Sequence, residues 1–114
     1  MFQRELPVGV GTDSVASVAP LDLLAEARAA QRLAGLTADA ALRLATLGAA
    51  RALGLDGQIG SLAPGKWGDL VLMDLPGPVD AARLADTLLS RHPSDVRATF
   101  LAGHSPWLID TTDA

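Results

Sequence analysis

Three absences in this chain exclude whole classes of protein. None of its 114 residues is cysteine, so it has no disulfide framework, no thiolate metal site and no cysteine nucleophile. Aromatic residues make up only 4%, the formal net charge is −4 and no basic run occurs, which argues against nucleic-acid binding. No apolar run approaches the roughly 20 residues of a membrane span, and the N-terminus lacks a charged-then-apolar signal pattern. We therefore expect a soluble, cytoplasmic protein that binds neither nucleic acid nor membranes.

The composition of the chain is apolar for so short a sequence. Hydrophobic residues make up 49% and charged residues 19%, and the mean hydropathy is +0.28, which argues against intrinsic disorder. Small domains bury a smaller fraction of their surface than large ones do. We therefore expect either exposed apolar patches or a face that packs against something outside this chain.

The first half of the sequence predicts one strand followed by helices. Residues Leu6 to Thr12 are short, apolar and bounded by Pro and Gly, which is typical of a strand buried on both faces of a parallel sheet. Apolar residues at helical spacing then predict helices from Pro20 to Ala34 and from Ala38 to about Leu47.

Glycine and threonine mark the expected ends of these helices. Gly35 is placed to stop the first helix, and Thr37 to cap the second. Gly48 is expected to interrupt the second helix before a further helical turn, which Gly54 closes.

The second half predicts turns, strands and one more helix. Residues Asp69 to Asp74 form a predicted strand, Val79 to Arg91 a helix and Val96 to Leu101 a half-buried strand. A turn at Gly103-His104 leads to a predicted returning strand at Trp107 to Ile109. These strands read as an antiparallel group, whereas the first strand needs parallel neighbours. The chain therefore divides into residues 1–56, the end of a larger α/β sheet, and residues 57–114, part of a small separate β layer.

Asp13 is the best candidate for a chemical role. It follows the C-terminal end of the predicted buried strand, which is where ligands bind in parallel α/β sheets and barrels. A carboxylate there can ligate a metal or act as a base. The alternative interpretation is an Asp that caps a local turn, as Ser14 and Ser17 would.

The remaining polar residues carry weaker signals. Gly9-Val10-Gly11 lacks the third glycine and the lysine of phosphate-binding loops, so tight backbone packing is favoured over a small phosphate or nucleotide binder. His92 and His104 stand in no metal-ligand pairing and are predicted to lie on the surface. Lys66 is predicted to be solvated, and Trp67 to clamp the small β layer.

Three ordered stretches resemble the amidohydrolase superfamily. They are Val8-Gly9-Val10-Gly11-Thr12-Asp13-Ser14, then residues 45–55 (Ala-Thr-Leu-Gly-Ala-Ala-Arg-Ala-Leu-Gly-Leu), then residues 59–71, which contain Ile-Gly-Ser-Leu and Pro-Gly-Lys-Trp-Gly-Asp-Leu-Val. Their order and spacing resemble the final part of the branch that contains the chlorohydrolases and nucleobase-type deaminases. The Gly-Thr-Asp-Ser stretch looks most like the aminodeoxyfutalosine and adenosine-like deaminase members.

The resemblance implies a fold and a site. It implies the last βα unit of a distorted (β/α)₈ barrel with zinc or iron at its C-terminal mouth, and part of a small β-sandwich assembled from both chain termini. In such enzymes the Asp after the last barrel strand ligates the metal or orients the attacking water, a role that maps onto Asp13. The family's His-x-His, its two later histidines and its general-acid Glu lie upstream, and this chain has no histidine there.

We therefore expect the C-terminal portion of a metal-dependent hydrolase acting on non-peptide C–N bonds of a small-molecule substrate. One carboxylate does not make a catalytic metal site, which normally takes three or more protein ligands. Alone, the chain is expected to bind no metal and to be inactive, and to need the N-terminal barrel portion or to self-associate. The alternative is a stand-alone, non-catalytic domain that binds a partner or itself.

Overall fold

The computed structural model describes residues 6–12 and 22–104. Its regular elements are α1 (Leu23–Ala34), α2 (Ala38–Ala45), α3 (Leu47–Ala52), β1 (Leu70–Met73), α4 (Ala81–Leu89), a 3₁₀ turn (Pro93–Asp95) and β2 (Val96–Phe100). Within the described ranges, no helix is long and apolar enough to cross a membrane.

The limits of α1 follow from its two caps. The Asp22 carboxylate accepts a hydrogen bond from the Ala25 backbone N–H at 3.0 Å, so the helix begins at Leu23 rather than at Pro20. Gly35 adopts a left-handed conformation, with φ of 65°, and ends the helix as predicted.

The break between α2 and α3 lies at Thr46, so the prediction of a break at Gly48 was wrong. Thr37 caps α2 as expected, because its hydroxyl accepts from the Ala40 N–H at 3.1 Å. At the other end, the Thr46 hydroxyl donates to the Leu42 carbonyl at 2.8 Å, and the Thr46 backbone leaves the helical region. A threonine that bonds back to the preceding turn bends a helix. Gly48 instead lies inside α3.

Small side chains form the helical core. Ala27 of α1, Ala38 and Ala41 of α2 and Leu89 of α4 are all buried against one another. Arg28 ties α1 to the end of α4, donating to the carbonyl oxygens of Leu89 at 2.8 Å and of residue 91 at 3.2 Å. Because alanine side chains are short, these helices pack closely while burying little apolar surface on each.

The two strands pair antiparallel, as the sequence predicted. Leu70 lies opposite Phe100 and Leu72 opposite Ala98, with an irregularity before Met73. The predicted returning strand, Trp107 to Ile109, lies outside the described residues.

The segment 6–12 forms no strand, contrary to the prediction of a buried one. It has no regular secondary structure, and the Leu6 side chain is 56% exposed. A parallel strand takes its hydrogen bonds from neighbouring strands, and the described residues place none beside it. Instead the Val10 N–H donates to the Leu44 carbonyl of α2 at 3.0 Å. The described part is thus a small α/β unit, and the division at residues 56 and 57 stays a prediction.

Candidate functional site

The segment 6–12, which precedes Asp13, packs directly against α3. A Cβ atom built on Gly9 would come within 2.8 Å of the Ala49 Cβ and closer still to its Cα, and one built on Gly48 would come within 2.6 Å of the Val8 carbonyl oxygen. The tight packing predicted for the glycine pair is therefore confirmed for Gly9, although its neighbour is a helix. Asp13 itself lies outside the described residues, one position beyond the segment that α3 holds.

The opposite side of α3 carries the third of the recognised stretches. A Cβ atom on Gly60 would lie 2.7 Å from the Ala50 Cβ and 3.0 Å from the Leu47 Cα. Ala50 is only 2% exposed as a result. The three stretches singled out in the sequence therefore meet in space, with α3 between the other two.

Lys66 is half-buried and also organises the loop of the third stretch, a structural role that the prediction of a solvated lysine did not include. Its ammonium group donates to the Asp56 carbonyl at 2.6 Å and to the Ser61 hydroxyl at 2.7 Å, and lies 3.4 Å from the Ile59 carbonyl. An ammonium group has three donors, and all three have acceptors within the loop. Lys66 is therefore a structural residue in this geometry.

Trp67 does not clamp the described β layer. Its side chain is 54% exposed, and the residue contributes through its backbone N–H, which donates to the Gln58 carbonyl at 2.9 Å. The loop is thus closed by backbone bonds and by Lys66 rather than by aromatic packing.

Asp69 is a structural residue that the sequence did not reveal. Its carboxylate accepts from the Ala102 N–H at 2.9 Å, and the neighbouring Gly68 carbonyl accepts from the Gly103 N–H at 3.2 Å. These bonds fix the turn after β2. The partner is 33 positions along the chain, so no local pattern signals the contact.

Both histidines lie on the surface, as predicted. His92 caps the 3₁₀ turn: its Nδ1 accepts from the Ser94 N–H at 3.2 Å, and the Asp95 carboxylate accepts from the His92 N–H. His104 is exposed in the turn after β2. Across residues 6–12 and 22–104, no three His, Asp or Glu side chains lie close enough together to hold a metal ion. The described residues therefore do not fit a metal site by themselves.

A wide apolar groove separates the helices from the sheet of β1 and β2. Its volume is about 740 Å³, and Leu24, Leu42, Ile59, Met73 and Phe100 are among its lining residues. Leu53 and Leu62 at the groove are 72% and 75% exposed. Asp69 is the one charged residue of the described lining, and it is engaged in holding the turn. The described lining of the groove thus lacks free groups for acid–base chemistry. Its apolar surface is suited to packing against another apolar surface.

Comparison with known proteins assigns the chain to a family. The Amidohydrolase family profile matches residues 1–105. A 5-methylthioadenosine/S-adenosylhomocysteine deaminase of Moorella thermoacetica is 47% identical over 86 residues, covering 68% of this chain and 20% of that protein. A 5'-deoxyadenosine deaminase of Methanobrevibacter smithii is 32% identical over 90% of this chain and 26% of its own length.

Solved structures show the same relationship. Escherichia coli guanine deaminase superposes with a TM-score of 0.81 at 27% identity, over 96% of this chain and 29% of that one. An adenosine deaminase from Xanthomonas campestris, crystallised with bound zinc, gives a TM-score of 0.76 at 32% identity, over 97% of this chain and 29% of that one. The chain thus spans between a fifth and a third of the length of these proteins. The finer placement with aminodeoxyfutalosine deaminases stays a prediction. The profile match and these relatives together place the chain in the deaminase branch of the amidohydrolase family.

Proposed function

We propose that this chain is the C-terminal portion of a metal-dependent deaminase that hydrolyses a non-peptide C–N bond of a small molecule. In this proposal residues 1–56 supply the last βα unit of the barrel, and residues 57–114 supply part of the accompanying β-sandwich. The observation that carries the proposal is the packing of the three recognised stretches around α3, with Gly9 on one side and Gly60 on the other. That packing supports the proposal because it joins the three stretches that resemble the family into one unit.

Asp13 is the residue we assign to the site, as a ligand of the metal or as the group that orients the attacking water. A carboxylate is a suitable ligand for zinc or iron. Neither described histidine belongs to this role, because His92 caps a 3₁₀ turn and His104 lies in the turn after β2.

The chain is inactive alone in this proposal, because a catalytic metal takes three or more protein ligands. The described residues hold no cluster that could add to Asp13, and the relatives are three to five times longer than the part matched here. The missing ligands come from an N-terminal barrel portion, in the same chain or in a separate one.

The second candidate function is a stand-alone domain that binds a partner or a second copy of itself. The observation that favours it is the exposed apolar groove between the helices and the sheet of β1 and β2. The same surface fits the first proposal, in which the N-terminal portion covers it, so the two functions differ in whether covering the groove creates an active site.

A chimera separates the two functions. This chain replaces the matching C-terminal segment of the Moorella thermoacetica deaminase, and ammonia release from 5-methylthioadenosine is measured. The first proposal predicts an active chimera that loses at least about 100-fold in kcat/KM on Asp13→Asn, the scale expected for an essential catalytic-site group. The thermal melting curve and zinc content of each variant show whether it has folded and assembled.

Two outcomes oppose the proposal. A folded, zinc-loaded chimera whose activity is unchanged by Asp13→Asn would remove Asp13 from the site. A chimera that fails to fold, beside a parent enzyme that folds, would favour the stand-alone domain.

A further inference from the structure

Asp56 and Gly57 form the only Asp-Gly pair of the sequence, and they lie in the loop that Lys66 organises. Both residues are exposed. Every other aspartate of the chain precedes a residue with a Cβ atom, which obstructs the approach of the aspartate side chain to the next backbone nitrogen. The pair is therefore the place in the sequence where a carboxyl group and a neighbouring peptide nitrogen are least hindered from reacting.

The pair occupies the centre of a helix-like turn. The Leu55 carbonyl accepts from the Gln58 N–H at 2.9 Å and from the Ile59 N–H at 3.0 Å. Gly57 does not have a positive φ, which agrees with this turn. In such a backbone the Gly57 nitrogen does not face the carboxyl carbon of Asp56, so the two groups meet only when the peptide unit between them rotates.

A single hydrogen bond holds that peptide unit. Its carbonyl oxygen, on Asp56, accepts from the Lys66 ammonium group at 2.6 Å. Its N–H, on Gly57, has no acceptor among residues 6–12 and 22–104. A Cβ atom built on Gly57 would meet nothing within 4 Å, so the unit has open space around it. Rotation about the Asp56 Cα–C bond is therefore opposed mainly by Lys66.

We propose that the Asp56–Gly57 bond is a site of isoaspartate formation and that Lys66 restrains the reaction. Rotation that brings the Gly57 nitrogen to the Asp56 carboxyl carbon carries the Asp56 carbonyl away from the position in which it accepts from Lys66. The bond to Lys66 must therefore open first. This inference is independent of the proposed catalytic function, because it rests only on the turn and on its contact with Lys66.

The reaction needs only water. The Gly57 nitrogen attacks Cγ of the protonated Asp56 carboxyl group, the N–Cγ bond forms, and the N–H proton leaves with the carboxyl hydroxyl as water. Water then adds to the backbone carbonyl carbon of the cyclic succinimide. The bond from that carbon to nitrogen breaks, and the nitrogen takes back a proton. The chain now runs through Cγ, and the former backbone carbonyl is a free carboxyl group.

The product alters the loop. Isoaspartate lengthens the backbone between Leu55 and Gln58 by a methylene group, within the turn that their hydrogen bond closes. Gly60, which packs against Ala50 of α3, follows shortly after. We therefore expect the modified loop to pack less closely on α3.

The test incubates the full chain in mildly acidic H₂¹⁸O buffer below its melting temperature. Each passage through the succinimide inserts ¹⁸O, and fragmentation of the peptide that contains residue 56 locates the label and separates isoaspartate from aspartate. We expect label at Asp56 in the parent chain. Gly57→Ala, whose methyl group has room in the fold, should be labelled at least about tenfold more slowly, a barrier higher by about 1.4 kcal/mol.

A matched pair of variants tests the role of Lys66. Lys66→Met removes the bond to the Asp56 carbonyl, and labelling should become about three- to tenfold faster, the equivalent of one hydrogen bond. Ser61→Ala removes a different bond of the same ammonium group and keeps the one to Asp56, so its rate should stay within about twofold of the parent. In concentrated urea the parent and both variants should react at the same rate, because the loop is absent.

Three results would overturn the inference. The first is a folded parent chain without label at Asp56 after the urea-unfolded chain is fully labelled. The second is labelling of Lys66→Met no faster than that of the parent. The third is equal acceleration in Lys66→Met and Ser61→Ala, which would assign the effect to general mobility of the loop.

Circular dichroism under the incubation conditions shows whether each variant is folded. If Lys66→Met unfolds, the parent chain in buffer and in urea provides the comparison. Equal labelling rates of the folded and unfolded parent would then contradict a restraint by Lys66.

Discussion

Gly9 and Ala49 are in backbone contact: a Cβ atom on Gly9 would fall 2.8 Å from the Cβ of Ala49. The contact holds the N-terminal segment against α3, four positions before Asp13. The contact requires glycine at residue 9. A Cβ atom there would lie so close to the atoms of Ala49 that the backbone would have to move.

The first prediction tests this contact with a matched pair of glycines. Gly9→Ala should lower the free energy of unfolding by about 1–3 kcal/mol, the usual cost of overpacking. Gly11→Ala places its methyl group in open space and should change stability by less than about 1 kcal/mol. Urea unfolding followed by circular dichroism measures both. Equal effects of the two substitutions would mean that α3 does not hold residue 9.

The second prediction concerns Lys66. Lys66→Met keeps the aliphatic stem and removes the ammonium group, leaving the Asp56 carbonyl and the Ser61 hydroxyl without their donor. Because water can reach both acceptors, we expect a loss of about 0.5–1.5 kcal/mol, with faster amide exchange across residues 56–61. Arg43→Met is the control, since its ion pair with Asp39 is exposed and such pairs contribute about 0–1 kcal/mol. Equal stability of the two variants would argue that the Lys66 bonds do not hold the loop.

The third prediction concerns Asp69, which accepts the Ala102 N–H. Asp69→Ala should destabilise the turn after β2 by about 1 kcal/mol, while Asp69→Asn, which keeps an acceptor oxygen, should lose less. Exchange of the Ala102 amide is the direct readout. An Ala102 amide that is equally protected in Asp69→Ala would contradict the bond.

The fourth prediction is a stabilising substitution in the same turn. Leu101 and His104 exchange two backbone hydrogen bonds, of 2.7 Å and 3.0 Å, around Ala102 and Gly103, whose φ angles of 53° and 79° define a type I′ turn. The positive φ of Ala102 costs a residue with a Cβ roughly 1–2 kcal/mol. Asn-Gly is the preferred pair in type I′ turns, so Ala102→Asn should raise the melting temperature and Ala102→Val should lower it. A melting temperature that is lower in Ala102→Asn than in the parent would argue against the type I′ geometry.

Local signals in the sequence predicted the helices and the caps at Gly35 and Thr37, because each depends on residues within one turn, but not the Asp22 cap that begins α1. Gly35 and Thr37 end and begin helices as expected, and the strands at 70–73 and 96–100 pair antiparallel as expected. The helix break was misplaced, because a back-bonding Thr46 bends the chain two residues before the more conspicuous Gly48.

Contacts between residues far apart in the sequence could not be predicted from local sequence patterns. Lys66 was expected to have no structural role, whereas its ammonium group bonds two backbone carbonyl groups and a hydroxyl group of the folded loop. The apolar segment 6–12 looked like a buried strand because its composition suits one, but a strand also requires neighbours. The role predicted for Asp13 rests on family resemblance and stays a prediction, since the residue lies outside the described ranges.

The most direct test of the central claim is the zinc stoichiometry of the isolated chain, measured by elemental mass spectrometry after zinc loading and dialysis at neutral pH. If Asp13 is one ligand of a site whose other members lie outside this chain, zinc should remain far below one ion per chain and should not differ between the parent and Asp13→Asn. Tightly held zinc at one ion per chain, lost in Asp13→Asn, would contradict the account, because it would mean that this chain completes a metal site by itself.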